Sequence, residues 1–155
     1  MTEAIKRFKE WLGIKAHLDR KAHTPPYFSE GEVWWCHIGE NIGIELNGKG
    51  TSFSRPILVF KKYDRCSFLG LPLTTAVKKG SWYAIVDFNK TKQTVVLAQG
   101  RSLDYKRLQT KIDRLKQADF DSVTANYIDL HLKICPRSYL RLSREIPKVH
   151  HADAW

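Results

Sequence analysis

The feature that most constrains the fold is a closely spaced series of short segments rich in β-branched and aromatic residues, which begins after Gly31. Such residues favour extended backbone, because their side chains pack well on a pleated surface. Short strands separated by turn-forming residues are typical of small antiparallel barrels, closed or half-closed. A long loop over residues 39–54 contains four glycines. Strands are predicted at residues 32–38, 57–63, 66–73, 82–88 and 94–98.

A helix is predicted ahead of these strands, over residues 3–20. Ile5, Phe8 and Leu12 recur at three- and four-residue spacing, and Trp11 lies beside them. An apolar stripe of this kind usually packs on a neighbouring element, and we favour that interpretation. The basic residues on the other faces also suit a helix that lies on a membrane, so this alternative stays open.

Two more helices are predicted after the strands, at residues 104–110 and 118–133. The second has Phe120, Val123 and Tyr127 at helical spacing, which indicates a core-facing stripe. The predicted class is therefore α+β: a small antiparallel barrel with a C-terminal helix and an added N-terminal amphipathic helix. The predicted divisions are a helix at 1–22, a linker at 23–29, a main domain at 30–133 and a C-terminal tail at 134–155.

The charge balance limits the choice of partners. Lys and Arg number 26 and Asp and Glu number 16, which gives a net charge of +10. Such an excess attracts polyanions: nucleic acid, an anionic membrane or an acidic protein. No apolar run approaches the roughly 20 residues that span a membrane, and the N-terminus lacks the apolar core of a signal peptide. We therefore expect a cytoplasmic protein with no membrane partner.

Motifs for metal or mononucleotide chemistry are missing from the sequence. The three cysteines are scattered with no CxxC pair, and there is no phosphate-binding loop, HExxH or GxSxG. We expect no metal and no cofactor. The remaining candidates are Glu45, Arg55 and Thr74. Taken singly, they could be a solvated acid, a surface phosphate contact and a strand-end cap.

Three aromatic residues could stack on nucleobases: Trp34, Trp35 and Tyr63. Because side chains alternate along a strand, only one of Trp34 and Trp35 can face the core of a simple strand. His37 lies in the same predicted strand, where we expect it to make a structural hydrogen bond.

Five short motifs follow one another along the chain. They read Gly-Glu-Val-Trp at 31–34, Gly-Ile-Glu-Leu at 43–46, Arg-Pro-Ile-Leu-Val at 55–59, Pro-Leu-Thr-Thr at 72–75 and Gln-Gly-Arg-Ser-Leu at 99–103. In this order they resemble the motifs of the MazF/PemK family of toxins.

The resemblance covers about residues 30–133. It implies an SH3-like barrel that forms a homodimer, cleaves single-stranded RNA such as mRNA at selected sequences without a metal, and is inhibited by a cognate antitoxin. By motif, Arg55 and Thr74 match the family's catalytic arginine and threonine. Glu45 matches the glutamate of the family's Gly-x-Glu-Gln loop and is the third catalytic candidate. The candidates for RNA binding are Lys49, Thr75, Gln99 and Arg101.

The chain departs from the family pattern in three respects. Leu46 stands where a Gln usually follows the glutamate, and the loop before Arg55 is longer by the stretch around 49–54. Some members use a different set of His, Arg and Asp. The positions that match this set here are Ile44, Val96 and Ala98.

RNA supplies its own nucleophile, the 2′-hydroxyl beside the scissile phosphate. A planar guanidinium such as that of Arg55 suits the phosphate oxygens, and Thr74 can donate a hydroxyl hydrogen bond to the same group. Glu45 is a candidate base, although its loop could instead bind a nucleobase. Two other functions stay open: a barrel that binds nucleic acid without cutting it, and a toxin of similar fold that poisons a protein target such as DNA gyrase.

Overall fold

The computed structural model describes residues 7–22 and 24–132, which contain two helices and seven strands. Two short 3-10 turns lie at Leu97–Gln99 and Tyr105–Arg107. The helices and strands are α1 Phe8–Arg20, β1 Glu32–His37, β2 Ser54–Lys62, β3 Ser67–Thr74, β4 Tyr83–Phe88, β5 Thr91–Val96, β6 Arg101–Asp104, β7 Leu108–Arg114 and α2 Gln117–Leu132.

The strands form one antiparallel sheet in the order β4-β5-β3-β2-β1-β7. The first half of β3 pairs with β6 and its last residues pair with β5. The predicted α+β class is confirmed. The predicted barrel is not closed, because within the described residues no ladder joins β4 to β7.

The helix predicted at 104–110 is wrong. This stretch contains the end of β6, a 3-10 turn and the start of β7. The long-range pairing of β7 with β1, including Cys36 opposite Leu108, outweighs the local preference. The hairpin between β4 and β5 turns on two residues, so β5 begins at Thr91, three residues before the predicted start at 94. Asn89 and Lys90 both have positive φ, as a type I′ turn requires.

Apolar side chains are buried on both faces of the sheet. One cluster includes Leu58 and Leu71 and packs beneath Val123 of α2. The other includes Trp34 and Ile57. Along β1 the alternation is as expected, since Trp34 is 7% exposed and the next residue, Trp35, is 42% exposed.

The helix α1 packs on the loop residues Gly39 and Phe53 and beside the 3-10 turn Tyr105–Arg107, through a different stripe from the one predicted. Trp11 and Leu18 are buried and form a cluster with Phe53, whereas Phe8 and Leu12 are 46% and 65% exposed. Ile5 lies outside the described residues. Trp11 and Leu18 are seven residues apart, two helical turns, so they define an equally regular face that carries the largest side chain. No helix in the described part of the chain is long and apolar enough to cross a membrane.

Candidate functional site

Arg55 and Thr74 come together because β2 and β3 are paired. The ladder matches Ile57 with Pro72 and Leu58 with Leu71. Two residues further along the same antiparallel register, Arg55 stands opposite Thr74. Both side chains line one cleft of about 500 Å³. Two residues that are 19 positions apart in sequence (74 − 55) therefore share one wall of a cavity.

The guanidinium of Arg55 is held by main-chain carbonyl groups. Its Nε and Nη2 atoms donate to the Asn47 carbonyl at 3.0 and 2.9 Å, and Nη1 donates to the Leu73 carbonyl at 3.4 Å. Burial lowers the pKa of Arg55, whose residue surface is only 8% exposed. Arginine has five N–H donors. One on each terminal nitrogen is therefore left for a ligand in the cleft.

Thr74 is half-buried beside this group. Its Oγ1 accepts a hydrogen bond from the Ala76 amide at 3.3 Å. A hydroxyl that accepts in this way still has its proton to donate. Thr75 and Lys49, two of the predicted RNA contacts, line the same cleft and are exposed.

Of the three aromatic residues that could stack on nucleobases, Trp35 lines this cleft and is exposed. Four polar residues of the cleft were not singled out by the sequence analysis. Their positions depend on which strands pair, as for Gln93 of the neighbouring strand β5, and no local motif marks them. The four are Ser52, Ser54, Gln93 and Gln109.

His37 lies behind this wall of the cleft, half-exposed. Its Nδ1 is 2.6 Å from the Ser52 carbonyl, so the predicted structural hydrogen bond is present. The Gln109 amide nitrogen lies 2.9 and 2.8 Å from the two ring nitrogens and contacts the Ser54 hydroxyl. Burial lowers the pKa of His37, and the positive charges of Arg107 and Lys21 act in the same direction. Folding therefore favours the neutral ring over the protonated one, relative to the unfolded chain.

The other three predicted site residues lie in a separate cavity of about 240 Å³, which Glu45, Gln99 and Arg101 line together. This cavity adjoins the cleft along β2 and β3. Ile57 and Pro72 line the cavity, and their chain neighbours Pro56 and Leu73 line the cleft. The catalytic candidate Glu45 is therefore not brought into the cleft of Arg55 and Thr74. Its exposed carboxylate accepts a hydrogen bond from the Ile42 amide at 3.0 Å.

Gln99 and Arg101 hold the loop that carries Glu45. The Gln99 amide accepts from the Leu46 amide at 2.7 Å and donates to the Ile44 carbonyl at 3.1 Å. Arg101 donates to the Ile38 carbonyl at 2.6 Å and to the Asn41 side chain at 3.3 Å. Burial lowers the pKa of Arg101, and the positive charge of Arg107 adds to this effect.

The cleft combines groups that suit a phosphodiester. A buried guanidinium with free donors stabilises anionic oxygens, since it acts at reduced dielectric. A threonine hydroxyl offers a second donor, and an exposed tryptophan and two glutamine amides can meet a nucleobase. The exposed ammonium group of Lys49 adds positive charge at the rim.

Comparisons with known proteins give a family match and solved structures of similar fold. The family model of PemK-like, MazF-like toxins of type II toxin–antitoxin systems matches residues 29–130. Among solved structures, an endoribonuclease in complex with its cognate antitoxin from a Mycobacterial species is similar, with 14% identity, a TM-score of 0.56 and coverage of 71% of this chain and 100% of that chain.

A second similar structure is MazF from Deinococcus radiodurans, with 18% identity, a TM-score of 0.55 and coverage of 68% of this chain and 97% of that one. At these identities the two likenesses show a shared fold. No curated protein matches the chain.

Proposed function

The chain belongs to the family of PemK-like, MazF-like toxins of type II toxin–antitoxin systems, and we propose that it is an endoribonuclease that cleaves single-stranded RNA through the RNA's own 2′-hydroxyl. The observation that carries this proposal is the cleft shared by Arg55 and Thr74. A guanidinium held by two carbonyls, with donors left over, is preorganised for a phosphate.

In the proposed reaction the 2′-oxygen attacks the adjacent phosphorus and the 5′-oxygen leaves. The 2′-hydroxyl loses a proton and the 5′-oxygen gains one, so the products are a 2′,3′-cyclic phosphate and a 5′-hydroxyl. Arg55 stabilises the charge that develops on the phosphorus-bound oxygens, and Thr74 donates a hydroxyl hydrogen bond to the same oxygens and keeps its proton. No step requires a metal.

The cleft and the adjoining cavity bind different parts of the RNA in this proposal. We assign the scissile phosphate to the cleft, with Lys49 and Thr75 as its outer contacts. Because Glu45 lies in the adjoining cavity, we assign it to the neighbouring nucleotide and not to the 2′-hydroxyl. Gln99 and Arg101 position that loop through main-chain bonds and contact RNA with the donors that remain.

The assembly we propose follows the family. The toxin forms a homodimer whose two equivalent clefts lie on one basic face. A cognate antitoxin inhibits it by laying an acidic segment across that face. In this proposal the fold is the SH3-like barrel of the family, left open between β4 and β7. The toxin acts in the cytoplasm, where mRNA is available.

The test is incubation of the chain with a mixed RNA pool in the presence of EDTA, followed by mapping of both new ends. We expect cuts at a restricted sequence that leave a cyclic phosphate and a 5′-hydroxyl. An oligonucleotide with one 2′-deoxy sugar at the mapped position should bind and stay intact, and its cleavage would refute the mechanism. Binding of RNA without any cleavage would favour a module that binds nucleic acid and is not catalytic. Inhibition of a target such as DNA gyrase without RNA cleavage would favour a toxin that acts on a protein.

A further inference from the structure

We propose that Trp11 is a positioning residue for the cleft. The Trp11 indole packs on the backbone at Gly39 and on the ring of Phe53. This contact fixes the loop 39–53, which holds Arg55. The loop-bracing part stands on contacts alone, and its effect on RNA cleavage rests on the proposed function.

The indole of Trp11 occupies space that only a glycine leaves open. Gly39 has a φ of +91°, and a Cβ atom there would overlap the indole ring. On its other side Trp11 meets Phe53, with ring centroids 5.8 Å apart. Phe53 is fully buried and has a positive φ of 50°, a backbone conformation that is rare for a bulky residue. The surrounding contacts therefore hold Phe53 in place.

Arg7, directly before α1, adds a second attachment to the same loop. Its guanidinium lies 4.4 Å from the Phe53 ring centroid and its Nη2 donates to the Gly50 carbonyl at 2.7 Å. The Arg7 amide also donates to the Glu40 carboxylate at 3.3 Å. Gly50 lines the Arg55 cleft, so this contact joins the start of the helix to a wall of the site.

Main-chain bonds carry this support to the guanidinium. The Phe53 carbonyl accepts from the amides of Ile38 and Gly39 at 3.0 and 3.2 Å. The Gly39 carbonyl in turn accepts from the Gly48 amide at 2.8 Å. The residue before Gly48 is Asn47, whose carbonyl receives two of the three hydrogen bonds that Arg55 makes. Displacement of the loop would therefore move the Asn47 carbonyl and change the orientation of the Arg55 guanidinium.

This helix lies outside the region that the family model matches, residues 29–130. The loop 39–53 includes most of the stretch around 49–54 by which the resemblance makes it longer than the family pattern. A longer loop loses more conformational entropy when it is ordered, and a helix that packs on it offsets that cost. We infer that the helix supports the extra length of this loop.

The experiment compares Trp11→Ala with Trp11→Phe and with Val123→Ala. Val123 is fully buried, but it belongs to the cluster beneath α2 and not to the cluster of Trp11 and Phe53. Amide hydrogen exchange is measured at Gly48, Lys49 and Ser54, whose amides make the loop's bonds. We expect faster exchange at these amides in Trp11→Ala, exchange close to that of the parent chain in Trp11→Phe, and faster exchange confined to the surroundings of α2 in Val123→Ala.

Cleavage is measured well below each variant's melting temperature, together with the Kd for the uncleavable 2′-deoxy oligonucleotide. Misplacement of a catalytic group by about 1 Å can cost on the order of 100-fold in rate, so kcat should fall at least tenfold in Trp11→Ala while Kd changes little. Unchanged loop exchange in Trp11→Ala, or equal acceleration of loop exchange in Val123→Ala, would overturn the inference. If the parent chain cuts no RNA, the proposed function fails, and the exchange data still decide whether Trp11 braces the loop. Should Trp11→Ala not fold, Trp11→Leu replaces it.

Discussion

At the scale of single residues, Arg55 combines two properties that usually exclude each other. It is buried, yet it is held only by main-chain carbonyls, with no carboxylate to neutralise its charge in the described contacts. A buried cation without an ion-pair partner is costly, so its retention indicates a use for the charge. The nearest available use is an anionic ligand in the cleft.

This gives a prediction for Arg55→Lys. A single ammonium group keeps the charge but cannot bond two carbonyls and still present a planar pair of donors. We expect kcat to fall by on the order of 100- to 1000-fold, while the Kd for 2′-deoxy RNA changes little. Single-turnover kinetics and a binding titration measure the two quantities. Arg107→Lys is the matched control, because Arg107 bonds the His37 carbonyl and does not line this cleft. Equal losses of binding and rate would mark Arg55 as a positioning contact.

A pH dependence follows from His37. Its folded pKa lies below the ordinary 6.5, mainly through burial. Between these two values the unfolded chain binds more protons, so the free energy of unfolding should fall as pH drops through 6.5 and level off below the folded pKa. Denaturant titrations across this range should show the decline in the parent chain and a weaker one in His37→Gln. His17→Gln, on an exposed face of α1, should keep the full decline.

The carboxylates give a separate loss in a lower pH window. Burial raises the pKa of Glu32, but hydrogen bonds from Lys111, Trp34 and Ser29 together outweigh this and hold the pKa below the ordinary 4.5. The hydrogen bond from Lys61 likewise lowers the pKa of Glu30 against the opposing effect of burial. Their contribution to stability is present above the ordinary value and is lost as pH falls further. A decline that begins near 6.5 is therefore assigned to histidine.

At the scale of elements, α1 allows a test of its packing. Deletion of residues 1–22 should lower the melting temperature, because it exposes the surface that Trp11 and Leu18 cover. Each such side chain contributes about 1.5–3 kcal/mol when fully buried. Differential scanning calorimetry measures the loss. Binding to anionic vesicles is measured in parallel, since Phe8 and Leu12 remain exposed. An unchanged melting temperature with loss of vesicle binding would support the membrane interpretation of this helix.

The sequence predicted the elements whose signals are local. The short segments rich in β-branched and aromatic residues located β1 to β5 to within a few residues, and the stripe of Phe120, Val123 and Tyr127 located α2. The segment 104–110 failed because its strand character comes from pairing with β1, more than 60 positions away in sequence. The packed stripe of α1 was also missed. Trp11 and Leu12 are adjacent, and only the shape of the loop at Gly39 and Phe53 decides which of the two is buried.

At the scale of the whole molecule, some residues of the candidate site could be predicted from local motifs, and others are brought there only by strand pairing. Arg55 and Thr74 carry motif signals and do meet in one cleft. Gln93 and Gln109 reach that cleft through the pairing of β5 with β3 and of β7 with β1. The separation of Glu45 from Arg55 could not be predicted from the sequence, since the nine residues between them permit either arrangement.

The net charge of +10 gives a last prediction, for the salt dependence of RNA binding. A protein that neutralises phosphates releases their counterions, so log K should fall linearly with log salt, with a slope of about −0.7 per contact on a single strand. Lys49→Gln removes one exposed cation from the cleft rim and should make the slope shallower by about 0.7. Lys116→Gln is the matched control, because this exposed lysine lies beyond the far end of β7 and lines no part of the cleft. Titrations of 2′-deoxy RNA at several salt concentrations measure both. A specific contact at Lys49 requires that only its variant changes the slope. Equal changes in the two variants would mean that the charge acts diffusely over the whole surface and that the cleft has no privileged phosphate contact at Lys49.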